Sequence, residues 1–569
     1  MKKLAVLLLA SQALATTINV PADQPTVADG LAAASYGDTV LITGTFNESG
    51  LSLKDGVTLR GATGSGTDII DANGAARVFS SGLPSTMGDS TRVENLGLTD
   101  GAAVVGAAFN ITNSTTQFRR IIINDCDIYD HATTAVYIGN GAATIKRTTI
   151  RDTTTPTTNP GGGIYMLGGL LVSSNNRIEN NRAGTSAGAD GGGVYISSGV
   201  WISEADTIIG NSAQDVGGGV YASGATGFIK DLVVRADTSG IDGNGVGGGM
   251  YLVNTSFVFE GLKVDACVAQ GNSGGGIETD ADACNFFYGA TVDSCTSGAE
   301  GASYSTDGSI SSDEFYNSSF TNPLGTGVAN AYIAATKFYD CTISGSPSGG
   351  DVVYMFSGAP VIDGCVITGG DDDGIDGVNA SFTIRNNLVK RNGGMGIETP
   401  TSNGFIIGNT VVHNGSHGIG DIIGENELVL NNVVANNGGF GLEGGGNMTN
   451  TGLAIANLLF NNTSGARDDV PNLFWFDSTS DPVFVHTAAD SFRVNQSTSP
   501  AIDLGWNEVG LIAQAYELLG TGWDYADSVR VVYSSAAGDS TDRDTGRMDA
   551  GWHGRANNVA AVGGKVGAR

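Results

Sequence analysis

Residues 369–377 read GGDDDGIDG, which places Asp371, Asp372, Asp373 and Asp376 within six positions. Crowded carboxylates raise one another's proton affinity, so such a run must be compensated. It can hold a hard cation, share protons as an acid/base site, or lie solvated in a turn. Calcium suits the first role because it accepts about six to eight oxygen ligands in flexible geometry. Acids recur nearby: Glu398 lies 22 residues beyond Asp376, and His417 follows in GSHG. A carboxyl pair about 5 Å apart is the spacing of a retaining glycosidase, and a histidine is the commonest general base.

Which of these residues meet depends on a repeat. GGGIY ends at Tyr165, GGGVY at Tyr195 and Tyr221, GGGMY at Tyr251 and GGGIE at Glu278. Fainter copies end at Tyr137, Tyr304, Tyr332, Tyr354, Asp376 and Glu398, so that successive intervals from Tyr137 run from 22 to 30 residues. Asn-x-x-x-x-Asn recurs at Asn387/Asn392, Asn409/Asn414, Asn432/Asn437 and Asn457/Asn462, between short β-rich runs such as FTIRNNLV and FIIGNTVV. Repeats of this length are stacked supersecondary units. With no helical period, each unit reads as one rung of a parallel β-solenoid, in which stacked asparagines form amide ladders along the turns.

Side chains alternate in and out along a strand. With Ile164, Val194, Val220, Met250, Ile277, Val353, Ile375, Ile397 and Ile419 pointing in, the next residue of each rung forms an outward file. That file holds Tyr137, Tyr165, Tyr195, Tyr221, Tyr251, Glu278, Tyr304, Tyr332, Tyr354, Asp376 and Glu398. As a ligand surface, Tyr165, Tyr195, Tyr221, Tyr251, Tyr304, Tyr332 and Tyr354 would offer rings and hydroxyls to sugars. As a structural device they would only stiffen the sheet. The glycines ahead of each tyrosine are expected to leave a shallow groove beside the file. A second outward file runs Asp351, Asp373, Met395, His417 and Phe440. Asp351, Asp372, Asp373 and Asp376 therefore converge as the candidate metal ligands. Asp376, Glu398 and His417 are the candidates for acid/base catalysis.

At this point the sequence resembles the secreted right-handed parallel β-helix proteins of the pectate-lyase-like superfamily, of the bacterial surface β-helix repeat type. TINVPADQPTVADGLAAASYGDTVLITGTF resembles their N-terminal entry, with a short capping helix at about 24–35. VTLRGATGSGTDIIDANG, from Val57, resembles the first rungs, and DPVFVHTAADSFRVNQSTSPAIDLG, from Asp481, the closing segment; DTGRMDAGWHG, from Asp544, is a looser match to the terminal motif. The resemblance implies an all-β, right-handed single-stranded parallel β-helix with an N-terminal helical cap and a C-terminal cap. The divisions expected are a signal peptide at 1–15, an N-terminal cap at 16–37, rungs at 38–465 and a closing cap at 466–569. Asp351 with Asp372-Asp373-Gly374-Ile375-Asp376 is similar to the calcium site of one pectate-lyase family, but where that family has its catalytic lysine this chain has Glu398. Lys390 and Arg391 are expected in a turn, directed to solvent. Nor does His417 sit in the Gly-His-Gly of the polygalacturonases.

The bulk properties agree with export. MKKLAVLLLASQALA has a basic start, a short apolar run and a small-x-small end, the form of a secretory signal peptide. The chain carries 28 basic and 58 acidic residues, a formal charge of −30, which disfavours nucleic acid and anionic membranes. No segment is long enough to span a bilayer. Cys126, Cys267, Cys295, Cys341 and Cys365 fall 9 to 13 residues before their file residues, as if on one stacked strand position. They read either as disulfides, Cys267–Cys295 and Cys341–Cys365, or as a buried thiol ladder; Cys284 stands apart. The expectation is thus a secreted or surface β-helix protein whose partner is extracellular polysaccharide, recognised without cleavage. The alternatives are a Ca²⁺-dependent pectate-type lyase, a glycoside hydrolase, and a purely structural or adhesive element.

Overall fold

The computed structural model describes residues 15–468, apart from 81–90, 113–119, 157–158, 187, 242, 272, 308–310, 401–402, 423–426, 445–452 and 456, together with 484–485 and 493–494. The expected signal peptide (residue 15 aside), SPAID, DTGRMDAGWHG and nearly all of the expected C-terminal cap lie outside the described residues. None of the described helices is long and apolar enough to cross a membrane. The chain forms two compact units, 1–212 and 213–569.

In each unit short strands pair in parallel with strands one rung away, and side chains alternate between core and surface. Three main parallel sheets result. The second includes Phe286–Tyr288, Glu314–Tyr316 and Lys337–Tyr339, and the third includes Lys263–Asp265, Thr291–Asp293, Ser319–Thr321 and Leu388–Lys390, while two-residue strands such as Thr238–Ser239 and Val268–Ala269 pair in a shorter one. In the first unit the first sheet pairs Phe109–Thr112 with Val136–Lys146, then Ile164–Ser174, then Val194–Ile196. In the second unit it runs through Val220–Ser223, Met250–Val253, Ile277–Asp280, Gly301–Asp307, Ala329–Ile333, Asp351–Met355, Ile375–Gly377 and Ile397–Glu398. The residues taken as inward, from Ile164 to Ile419, are buried. At the N-terminal end a helix, Val27–Ala33, begins at the Thr26 cap and buries Val27 and Leu31; Glu48 carboxyl oxygens accept from its first two amides at 2.7 and 2.9 Å.

The third sheet is bracketed by two bends per rung, and these explain the asparagines. Each bend places one residue in left-handed backbone, as at Asn175, Asn180, Asn386, Arg391, His413, Asn431 and Asn436. Asparagine and glycine tolerate that region best. The following residue turns inward to the ladder. Asn387, Asn409, Asn432 and Asn457 form one file and Asn392, Asn414, Asn437 and Asn462 the other; after the first member of each file, every Oδ1 accepts a backbone and a side-chain N–H from the preceding rung at 2.9–3.1 Å. The ladders buried in the bends therefore follow the Asn-x-x-x-x-Asn reading.

The cysteines divide between these two bends rather than sharing one position. Cys341 and Cys365 stack beneath Asn387: the Cys341 amide donates to Cys365 Sγ at 3.4 Å and the Cys365 amide to Asn387 Oδ1 at 2.8 Å. Cys267 and Cys295 occupy the bend on the other side of the third sheet, flanking strands Lys263–Asp265 and Thr291–Asp293. All six cysteines are free thiols, and only Cys284 is not buried. Burial pushes the Cys126 thiol up to about 12.

Candidate functional site

The tyrosine file forms within each unit. In the first, Tyr137, Tyr165 and Tyr195 stand in register, their rings packed edge-to-face at 5.1 and 5.0 Å. In the second, Tyr221 pairs with Tyr251 and Tyr251 with Glu278. Tyr332 then stacks on Tyr354 and Phe356 at 5.2 and 4.5 Å. These tyrosines are half-buried, and much of each ring face is spent on its neighbour. The glycines beside them are dictated by backbone as well as space: Gly161, Gly191 and Gly247 have φ of +66°, +66° and +60°, and a Cβ on any of them would meet the Cβ of its tyrosine at 2.8 Å. The expected open groove is thus a close-packed lane.

Tyr304 leaves the file. It pairs with the inward Ile277, and Ser305 takes the outward position between Glu278 and Tyr332. A register shift between Gly301 and Tyr304 produces the change. The ring is fully buried against Phe315, Phe320 and Phe338. Burial is feasible because the hydroxyl donates to Asp313 Oδ2 at 2.9 Å and lies within 3.2 Å of the Thr279 and Thr336 hydroxyls. Tyr304 is a core residue, not a ligand residue.

The acids do come together. Tyr354, Asp376 and Glu398 stand in register on successive rungs. Beside them the Asp373 amide donates to Asp351 Oδ1 at 3.0 Å, and the Met395 amide donates to Asp373 Oδ1. The Phe440 amide donates to His417 Nδ1 at 2.9 Å and the two rings stack, so the second outward file forms as read. That bond leaves neutral His417 with its proton on Nε2. A side chain at Gly394 would collide with carboxyl oxygens of both Asp372 and Asp373, which fold over the same glycine.

Burial and the neighbouring carboxyls act in one direction on this cluster. Desolvation, then Asp376, Asp373 and Asp372, push Asp351 up to about 8. Desolvation, then Asp373, Asp372 and Asp421, push Asp376 up to about 7. Glu398 hydrogen-bonds to Asp373 and Asp421, and that contact together with burial pushes it up to about 10. Glu398 is therefore set against Asp373 and Asp421 as well as against Asp376, its register partner. Asp421 was not singled out from sequence; it lies one residue past the file, where Gly420 interrupts the acids. Lys390, expected toward solvent, is the last residue of the strand Leu388–Lys390 and is buried.

The oxygen-only donor set suits a hard cation, and Asp376 Oδ1 is buried with no hydrogen-bond partner. As the side chains stand, no three Asp, Glu, His or Cys residues among the described residues are grouped to coordinate one ion. A second aromatic file was also missed. Tyr288, Tyr316 and Tyr339 stack at 5.0 and 4.9 Å on the second sheet, and the triplets FFY, EFY and KFY were its signal.

No curated protein matches this chain in sequence. Among solved structures, the periplasmic alginate epimerase AlgG is similar at 13% identity over 64% of this chain and 76% of that one, with a TM-score of 0.30. The catalytic unit of the GH87 α-1,3-glucanase from Streptomyces thermodiastaticus strain HF3-3 is similar at 14% identity over 65% and 64%, with a TM-score of 0.34. The A-module of the Azotobacter vinelandii mannuronan C-5 epimerase AlgE6 is similar at 12% identity over 80% and 93%, with a TM-score of 0.20. Residues 107–296 and 282–420, together more than half of the chain, match the family described as right handed beta helix region, and the chain belongs to that family.

Proposed function

We propose that this is an exported protein that recognises extracellular polysaccharide along the outer face of its first sheet, with the carboxyl cluster of the second unit as the main grip. The observation that carries the reading is the convergence of Asp351, Asp372, Asp373, Asp376 and Glu398 where the file turns from tyrosine to acid, with Asp376 Oδ1 buried and unpartnered. Crowded carboxyls are costly in isolation. Sugar hydroxyls arriving as donors relieve that cost, and the half-buried Tyr332 and Tyr354 add hydroxyls and ring edges alongside. Calcium bridging through Asp351, Asp372, Asp373 and Asp376 is the cation-dependent form of the same grip. The test is retention on immobilised neutral and acidic polysaccharides, with calcium or with chelator. Asp373→Asn and Tyr354→Ala should each weaken retention by about tenfold, whereas retention indifferent to both would leave a purely structural β-helix.

A second reading rests on the Glu398 contact. A carboxyl whose proton affinity is raised by its neighbours can protonate a glycosidic oxygen, and Asp376, in register with it one rung away, stands at the spacing of the nucleophile in a retaining pair. Release of reducing sugar that disappears in Glu398→Gln would establish hydrolysis. The lyase alternative lacks this kind of support, because Glu398 occupies the position of the expected basic residue.

A further inference from the structure

In the first unit Arg60, Arg147, Arg151 and Arg177 each hold a carboxylate. Arg77 does not. Its Nε donates to the carbonyls of Gly106 and Val105 at 2.8 and 3.3 Å, and its Nη2 donates to Val105 at 2.7 Å. Among the described residues no acidic side chain pairs with it, and burial is the one influence that shifts it, downward.

Its position gives it meaning. Gly106 has φ of +65°, and a Cβ there would meet Tyr137 Cβ at 2.9 Å, so the guanidinium is tied to the glycine that packs beneath the first tyrosine of the file. Asn110 stands in register with Tyr137, and its Oδ1 is buried without a hydrogen-bond partner. The carbonyl-bearing loop is itself held, since the Ala102 amide donates to Ala76 O and Asn159 Nδ2 to Val104 O, both at 3.0 Å. One edge of the guanidinium is thus fixed by carbonyls, while Nη1 and the outer Nη2 proton, unpaired among the described residues, form a fork of the kind that grips a carboxylate.

We propose that Arg77 and Asn110 form a subsite for an acidic sugar at the N-terminal end of the Tyr137–Tyr165–Tyr195 file, Arg77 taking the uronate carboxylate and Asn110 Oδ1 accepting a sugar hydroxyl. This rests on the reading that the outer face of the first sheet binds polysaccharide, and it names the class: a uronate-bearing glycan.

The experiment is calorimetric titration of the full chain at physiological salt with polygalacturonate and with its carboxyl-reduced, uncharged counterpart. Wild type should prefer the acidic polymer. Arg77→Gln should lose about ten- to a hundredfold in affinity for the acidic polymer and nothing for the reduced one, while Tyr165→Ala weakens both. Arg77→Lys, which keeps the charge but not the fork, should fall between, and thermal unfolding verifies that each variant is folded. Tyrosine-dependent binding with no preference for the acidic polymer, or with no effect of Arg77→Gln in a folded variant, overturns the subsite and leaves the wider reading intact. Absence of binding to either polymer by wild type overturns both.

Discussion

Replacing Tyr304 by phenylalanine separates the file drawn from sequence from the one in the fold. On the sequence reading Tyr304 lines the ligand face, and losing its hydroxyl should weaken glycan retention. In the fold the hydroxyl is buried and donates to Asp313, a fully buried carboxyl that also accepts the Asn285 amide at 2.7 Å, Asn285 Nδ2 at 3.0 Å and the Ser311 hydroxyl at 3.3 Å. Deleting a donor to a buried charged acceptor costs about 1.5–3 kcal/mol, against about 0.5–1.5 for a neutral one. Burial raises the Asp313 pKa and the Tyr304 hydroxyl lowers it, so the variant's carboxyl titrates higher still. An acid whose folded pKa lies above its unfolded value binds more protons when folded, so its contribution to stability falls as pH rises. The Tyr304→Phe penalty should therefore be about 1 kcal/mol larger at pH 7 than at pH 3.5. Urea unfolding of wild type and variant at both pH values measures it, with retention assayed on the same samples. An unchanged or smaller penalty at pH 7 would refute the assignment of the hydroxyl to Asp313, and lost retention in a folded variant would return Tyr304 to the ligand face.

Other perturbations test the ladders and the site. His131 stands where later rungs carry a ladder asparagine, its Nδ1 accepting the Gly101 amide at 2.9 Å and burial pushing it down to about 4. A histidine held below its unfolded pKa stabilises above that pKa and loses the contribution as pH falls. About 3 kcal/mol should vanish between pH 6.5 and 4, and His131→Asn should flatten that slope in unfolding measurements. Asn409→Ala strips the acceptor from the Asn387 amide and side chain and a donor from Ile384 O, and should cost about 3 kcal/mol by urea unfolding. Gly191→Ala forces a Cβ onto left-handed backbone and against Tyr195, and should destabilise by at least 1 kcal/mol, with loss of the Tyr165–Tyr195 ring contact visible in aromatic NMR shifts.

In-register parallel stacking made much of this legible. When every rung repeats its neighbour, a motif copied along the chain must be a file in space. The Asn ladders, the Asp351–Asp373–Met395–His417 file and the Tyr354–Asp376–Glu398 file all follow from that rule. Reading failed where one residue breaks the period. At Gly301 a single shift turns Tyr304 inward, and the clue lies in its buried polar partners, 25 to 32 residues away or in the following turn, rather than in its own motif. The cysteines failed for a related reason. Distances of 9 to 13 residues to the file span a whole sheet and its two bends, so counting alone does not distinguish the bend before the third sheet from the bend after it.

The acid cluster was legible as a meeting of residues and illegible as a chemical state. Register alone pairs Asp376 with Glu398, which suggests an isolated dyad. Side-chain reach across files instead sets Glu398 between Asp373 and Asp421, and the Asp373 contact and burial that raise its proton affinity are not encoded in any spacing. The lane explains why the acids tolerate this position. In the earlier rungs of the second unit glycines such as Gly247 pack under tyrosine, whereas at Gly394 the absent side chain makes room for the carboxyls of Asp372 and Asp373. One backbone device thus serves an aromatic stack in one stretch and a carboxyl cluster in another. The change of chemistry along the face lies in the outward residues together with the acids beside them.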